Sequence, residues 1–249
     1  MQRAHPDDWA AVLDVVVLLR ELASALPARR QRAALSAGAD TVGAEVVSPG
    51  ALAEELVAAL LDEPEQNVIG ALHWALVRLG DEAVTPLIEA LDDPDAQVRG
   101  RVLAALADLP GPRSTAAVGA LLGTPDSDPE PEARLRARAA IVVARRDPAE
   151  PLRGRTREAL VKAIRTGAND VEAAETLAVL DPDGDAAAAI LAACVPAAAP
   201  EERRRIAQAL GEIPGAEARR VLGLLVEDSD RATSLTARLL LSRRTTPDG

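Results

Sequence analysis

Between residues 81 and 111 the apolar positions fall into two bursts, each at helical spacing and each closed by turn residues. Val84, Leu87, Ile88 and Leu91 recur at steps of three and four, which places them on one face of a helix. Asp81 stands where a capping side chain belongs, and Pro86 lies in the first turns, where its missing N–H costs little. Asp92-Asp93-Pro94-Asp95 breaks the helix and supplies caps for the next one. A second helix then sets Val98, Val102, Ala105, Leu106 and Leu109 on its apolar face before Pro110-Gly111 ends it. The predicted unit is an αα-hairpin with more apolar surface than it can bury alone.

The unit recurs. Shifted by 30 positions, Asp62, Pro64, Val68, Gly70, Ala75, Leu76 and Leu79 fall on Asp92, Pro94, Val98, Gly100, Ala105, Leu106 and Leu109. Shifted by 104, Asp81, Leu87, Arg99, Arg101, Ala105, Leu106, Pro110 and Gly111 meet Asp185, Leu191, Arg203, Arg205, Ala209, Leu210, Pro214 and Gly215. Neither alignment needs a gap. A period near thirty residues marks stacked supersecondary units, each burying its neighbour's apolar face. The expected fold class is all-α, an α-solenoid of stacked antiparallel helix pairs with about twelve to fourteen helices and no strand.

Residues 1–49 form an N-terminal helical cap and link in this reading, with helices over 7–26 and roughly 28–37. About six units occupy 51–244: 51–80, 81–111, 112–148, 149–184, 185–215 and 216–244. Unit three carries an acidic, Pro-rich excursion, Thr124 to Glu132, before a helix over 132–146, and residues 245–249 form a disordered tail.

The stretch LIEALDDPDAQVRGRVLAALADLPG resembles a HEAT repeat of the short bacterial, PBS-lyase HEAT-like kind. The resemblance is strong over 51–111 and 185–215 and weaker over 112–184 and 216–244; residues 1–49 do not show it. It implies a HEAT-like, armadillo-like superhelix, and architecture more firmly than activity. It also implies a ladder in which Arg99, Arg136 and Arg203, which share one repeat position, pair with turn acids such as Asp92 and Asp95.

Composition narrows the chemistry. The chain has no Phe or Tyr and only Trp9 and Trp74, so Ala, Leu and Val must fill the core. The net charge of −11 disfavours nonspecific binding to nucleic acid or an anionic membrane. A single cysteine excludes an internal disulfide and suits a reducing compartment. MQRAHPDDW lacks the lead of a signal peptide, and no apolar run approaches the roughly 20 residues of a membrane span. A soluble cytoplasmic protein is expected.

Candidate catalytic groups are sparse. Cys194 aligns with Ala90 on the inward face, and neither His5 nor His73 stands at helical spacing to activate it, so it reads as a buried structural residue. Asp181-Pro182-Asp183-Gly184-Asp185 resembles a calcium loop, but the twelfth position, which needs a bidentate acid, is Ala192. Deoxyhypusine hydroxylases of this architecture bind iron through His-Glu pairs; here Pro6 follows His5 and Trp74 follows His73. The sequence therefore indicates no catalytic residue, no cofactor and no metal.

What remains is a surface. The outward positions of the second helices include Asn67, Trp74, Arg78, Gln97, Arg101, Arg138, Arg145, Arg205 and Gln208, while acids gather in the turns. In HEAT-like solenoids the second helices line the concave side, so the resemblance implies a basic groove there. The expected function is a non-enzymatic scaffold that binds a protein partner, through an acidic segment, on that face. Two alternatives stand beside it: an enzyme or subunit acting on a small acidic or tetrapyrrole ligand, and nucleic-acid binding through the Arg-lined groove.

Overall fold

The computed structural model describes residues 16–39, 48–123 and 130–245. Every regular element among them is helical, with no strand. The chain divides into two compact units, Met1–Ala117 and Val118–Gly249.

The first unit holds α1 (16–22), α2 (Pro27–Gly38), α3 (Pro49–Asp62), α4 (Gln66–Leu79), α5 (Asp81–Glu89, extended by a 3-10 turn, Ala90–Asp92), α6 (Ala96–Ala107) and the start of α7 (Pro112–Ala120). Local chemistry explains most of the boundaries. Ser48 Oγ accepts the Ala51 N–H at 3.3 Å and Pro49 opens α3. Asp95 Oδ1 accepts the Gln97 N–H at 2.7 Å and caps α6. Asp81 makes no side-chain cap: Gly80 takes that position, and Asp81 is the first helical residue, its charge beside the positive helix end.

The helices form two layers within this unit. First helix α3 packs on first helix α5, and second helix α4 packs on second helix α6. On its other side α4 meets α2, which thus takes the place of a preceding second helix. Leu56, Leu60, Leu72, Leu76, Leu87, Leu103 and Leu106 are fully buried between the layers. Leu103 was not among the apolar positions expected for α6, whereas Val98 is half-exposed. The seam between α2 and α4 is tight because Gly38 has no side chain: a Cβ there would lie 2.5 Å from Trp74 Cζ3 and 2.9 Å from the Ala75 Cα.

The second unit holds the end of α7, a 3-10 turn (Leu121–Gly123), α8 (Glu130–Ala144), α9 (Leu152–Thr166), α10 (Asp170–Leu180), α11 (Asp185–Cys194), α12 (Pro200–Glu212), α13 (Ala216–Leu225) and α14 (Arg231–Thr245). Second helices α8, α10, α12 and α14 pack in series; first helices α9, α11 and α13 form the other layer. Helix α9 ends in a left-handed Gly167, with the Gly167 and Ala168 N–H groups both donating to the Ala163 carbonyl. Residues 1–15, most of the 38–50 link, the 124–129 part of the excursion and 246–249 lie outside the described residues.

Candidate functional site

The ladder arginines come first, since they fix what surface is left. Arg203 is the fourth residue of α12. Its Nη1 donates to the Ala198 carbonyl at 2.7 Å, while Nε and Nη2 hold both oxygens of Asp228, in the turn of the following helix pair, at 2.7 and 3.0 Å. Arg30, fourth in α2, does the same: Nη1 donates to the Ser24 carbonyl and Nε and Nη2 grip Glu63 at 2.7 and 2.8 Å. Hydrogen bonds from these guanidinium groups hold the Glu63 and Asp228 carboxyls below the usual carboxylate range, and the two carboxylates raise the arginines in turn. Arg99 occupies the same helix position and donates to the Asp93 carbonyl at 2.5 Å.

In the first unit the expected contact residues separate by role. Asn67, Trp74 and Gln97 are exposed on α4 and α6. Asn67 Nδ2 donates to Gln31 at 3.2 Å, and Trp74 covers Gly38 while keeping 43% of its surface in solvent. Arg78 and Arg101 have a bond that sequence reasoning missed. Each reaches about 40 residues back, to the Gly38 carbonyl at 3.4 Å and the Leu61 carbonyl at 3.2 Å, at the ends of α2 and α3. These carbonyls carry the negative end of the helix dipole and lack an intrahelical partner, which a guanidinium supplies.

In the second unit Arg205 repeats that bond on α9. Its Nε donates to the Ile164 and Arg165 carbonyls, both at 3.1 Å. Arg145 is exposed and pairs with Glu172 at 2.8 Å; Arg138 and Gln208 are exposed.

A charged cleft of this unit lies against α9 instead. A cleft of about 740 Å³ is lined by Arg155, Glu158, Lys162 and Arg165 from α9, Arg136 from α8, Ile190 and Cys194 from α11, Glu202 from α12, and the Leu122–Gly123 turn. The α9 residues recur at steps of three and four and so share one face. Four cations meet two carboxylates there, and Arg136 is only 5% exposed. Arg165 Nε holds Glu202 Oε1 at 2.5 Å across α9 and α12, while Arg205 steadies the backbone from which Arg165 projects.

Of the nine expected residues none lines this cleft, although Arg205 supports its wall. Arg155, Lys162 and Arg165 are legible as one basic face of RGRTREALVKAIRT, but α9 is a first helix and lies outside the second-helix surface expected to make contacts. Arg136, expected in the ladder, lines the cleft. Cys194, expected to be buried, is half-buried at the cleft wall, its Sγ donating to the Ile190 carbonyl at 3.3 Å. Among the described residues no group of three or more His, Cys, Asp or Glu is placed to hold a metal ion, and no helix is long and apolar enough to cross a membrane.

Residues 53–141 match a family model described as HEAT repeats. No curated protein matches the chain. Among solved structures it is similar to an engineered protein (18% identity, covering 92% of this chain and 97% of that chain, TM-score 0.39). A second engineered protein is 20% identical over 97% of this chain and 72% of its own (TM-score 0.43), and a designed armadillo repeat protein 18% identical over 90% and 97% (TM-score 0.39). The family match runs from α3 to α8, and the same alternation of first and second helices continues through α14.

Proposed function

We propose that this protein is a non-enzymatic scaffold that binds an acidic segment of a protein partner, and that the cleft along α9 is where the segment binds. HEAT and armadillo repeats are generally platforms for protein interaction. The observation that carries the reading is the convergence of Arg136, Arg155, Lys162 and Arg165 on one cleft in a chain whose net charge is −11. A concave wall richer in cations than in carboxylates can focus its field on an oppositely charged segment, even where the whole molecule is acidic. The outward second-helix arginines fit this role less well, because Arg78, Arg101 and Arg205 already serve helix ends.

Fluorescence anisotropy of a labelled Glu-rich peptide tests the reading. Binding is expected with the wild-type protein and lost when Arg155→Glu and Lys162→Glu are combined. Binding that survives the double reversal would overturn it. A second reading rests on Trp74, whose exposed indole sits with Asn67 and Gln97 on the second-helix surface of the first unit. If Trp74→Ala abolishes peptide binding and the double reversal does not, that surface is the site.

A further inference from the structure

The last helix pair of the second unit carries arginines where the pair before it carries core residues. Helix α13 starts at Ala216 and α14 at Arg231, each 31 residues after its counterpart, α11 at Asp185 and α12 at Pro200. That shift sets Ala218, Leu222 and Ala237 on Ala187, Leu191 and Ile206, and all of these are fully buried. Two positions break the match. Ala188 and Ala207 are also fully buried, on helices that α13 and α14 cover, whereas their counterparts Arg219 and Arg238 are exposed. An element packed there in the same way would take both guanidinium groups out of water, which is costly unless it brings carboxylates to meet them.

Helix α14 adds apolar surface to the same face. Its inner side holds Thr233 and Ala237, both fully buried, and Leu240, seated against Gly211 of α12. Opposite it, Arg231, Leu235, Arg238 and Leu239 share one side of the helix, the leucines 55% and 53% exposed. No Asp or Glu occurs in the 15 residues of α14. In α13 and the turn that follows, Glu217 pairs with Arg220, Asp228 with Arg203, and Asp230 accepts from Thr233, which leaves Glu227 in the turn. Among the described residues, the side chains of Arg219, Arg231 and Arg238 make no hydrogen bond or ion pair.

We infer that this face is a docking surface for an amphipathic helix of a partner protein, with an apolar stripe edged by Asp or Glu. The surface is distinct from the cleft along α9 and stands whether or not that cleft binds a peptide. A helix laid along α14, as α14 lies along α12, takes the ridge of Leu235 and Leu239 between its own side chains. Carboxylates at the edges of its stripe then meet Arg231 and Arg238 on α14 and Arg219 on α13. A second copy offering the same face would set arginine against arginine, which opposes association. A lipid surface is disfavoured as well: two leucines bury little in a bilayer, and a net charge of −11 repels anionic headgroups.

The probe is a soluble helical peptide of about four turns, with Leu at alternating steps of three and four and Glu beside them, titrated against the full chain by fluorescence anisotropy. Two controls share its length: a scrambled sequence of the same composition, and a version with Lys in place of Glu. The Glu form is expected to bind about tenfold or more tightly than either control. Leu235→Ser combined with Leu239→Ser, and separately Arg238→Glu, should each weaken it about tenfold and leave the unstructured Glu-rich peptide unaffected. All three residues are exposed, so the variants should stay folded, and thermal melts establish that they do. Arg155→Glu with Lys162→Glu should in turn leave the helical probe bound, so failure of this surface and failure of the cleft read out separately. No binding of the Glu form, or equal binding of the scrambled form, overturns the docking surface; equal binding of the Lys form overturns the part given to the arginines. Self-association of the wild-type chain that Leu235→Ser abolishes would assign the face to a second copy. Anionic vesicles that displace the probe from the wild type would assign it to a membrane, and either result overturns the partner helix.

Discussion

At the scale of the residue, the fourth position of a second helix has its own turn behind it and the next pair's turn beside it. A guanidinium there can satisfy a carbonyl of the first and a carboxylate of the second at once, as Arg30 and Arg203 do. Arg203→Ala is expected to lower the melting temperature by about 2–6 °C, because Asp228 then loses its partner. The pair also sets a pH dependence. The ordinary values are 4.5 for Glu63 and 3.8 for Asp228, and both are lowered in the folded chain chiefly by their arginine hydrogen bonds. Groups with depressed folded values contribute stability that is complete above the unfolded value and lost as pH falls through the folded one. The arginines stay protonated throughout. Melting temperature should therefore fall on acidification below about pH 5, and less steeply in Arg203→Ala than in the wild type. Equal slopes would show that the Asp228 pair contributes nothing in solution.

At the scale of the element, two turns of the second unit, at Gly184 and at Gly215, lie directly against each other. Gly184 precedes α11 with φ at +71°, and Gly215 precedes α13 with φ at +96°. A Cβ on Gly184 would collide with the Pro214 carbonyl, and one on Gly215 would lie 2.5 Å from the Asp183 carbonyl oxygen. Strain and collision coincide, so Gly184→Ala should destabilise by about 2–4 kcal/mol in chemical denaturation. Gly223 is the opposite case: it lies inside α13 with nothing within 4 Å of an added Cβ, and Gly223→Ala should stabilise by about 0.5–1 kcal/mol. Arg205 belongs to this scale too, since it ties α12 to the end of α9. Arg205→Ala should cost about 1 kcal/mol and also weaken peptide binding, because Arg165 projects from the backbone that Arg205 holds.

At the scale of the whole molecule, charge and site have opposite signs. A net charge of −11 repels polyanions at long range, whereas the proposed site along α9 would draw an acidic segment at short range. Peptide affinity should fall between about 0.05 and 0.5 M NaCl, as expected for partly exposed cations. Generic duplex DNA should not bind under the same conditions. Salt-independent peptide binding would show that apolar contacts, not the basic wall, hold the segment.

The sequence alone determined the helix pairs. Apolar spacing, Asp-Pro turns and terminal Gly act over a handful of residues, so α3 to α6 were legible in one pass along the chain. The place of α2 was not, because residues 24–38 keep the arginine of the repeat without its Leu and Pro-Gly markers; only the packing of α2 on α4 and the grip of Arg30 on Glu63 show it. Arg78, Arg101 and Arg205 lie on second helices, yet the carbonyls they bind lie about 40 residues earlier and come within reach only when the pairs stack. The cleft is the extreme case, drawing on residues from Leu122 to Glu202. Helical periodicity is a local property and survives in one dimension. A site whose charges come from three helices exists only once tertiary packing has brought them to one wall.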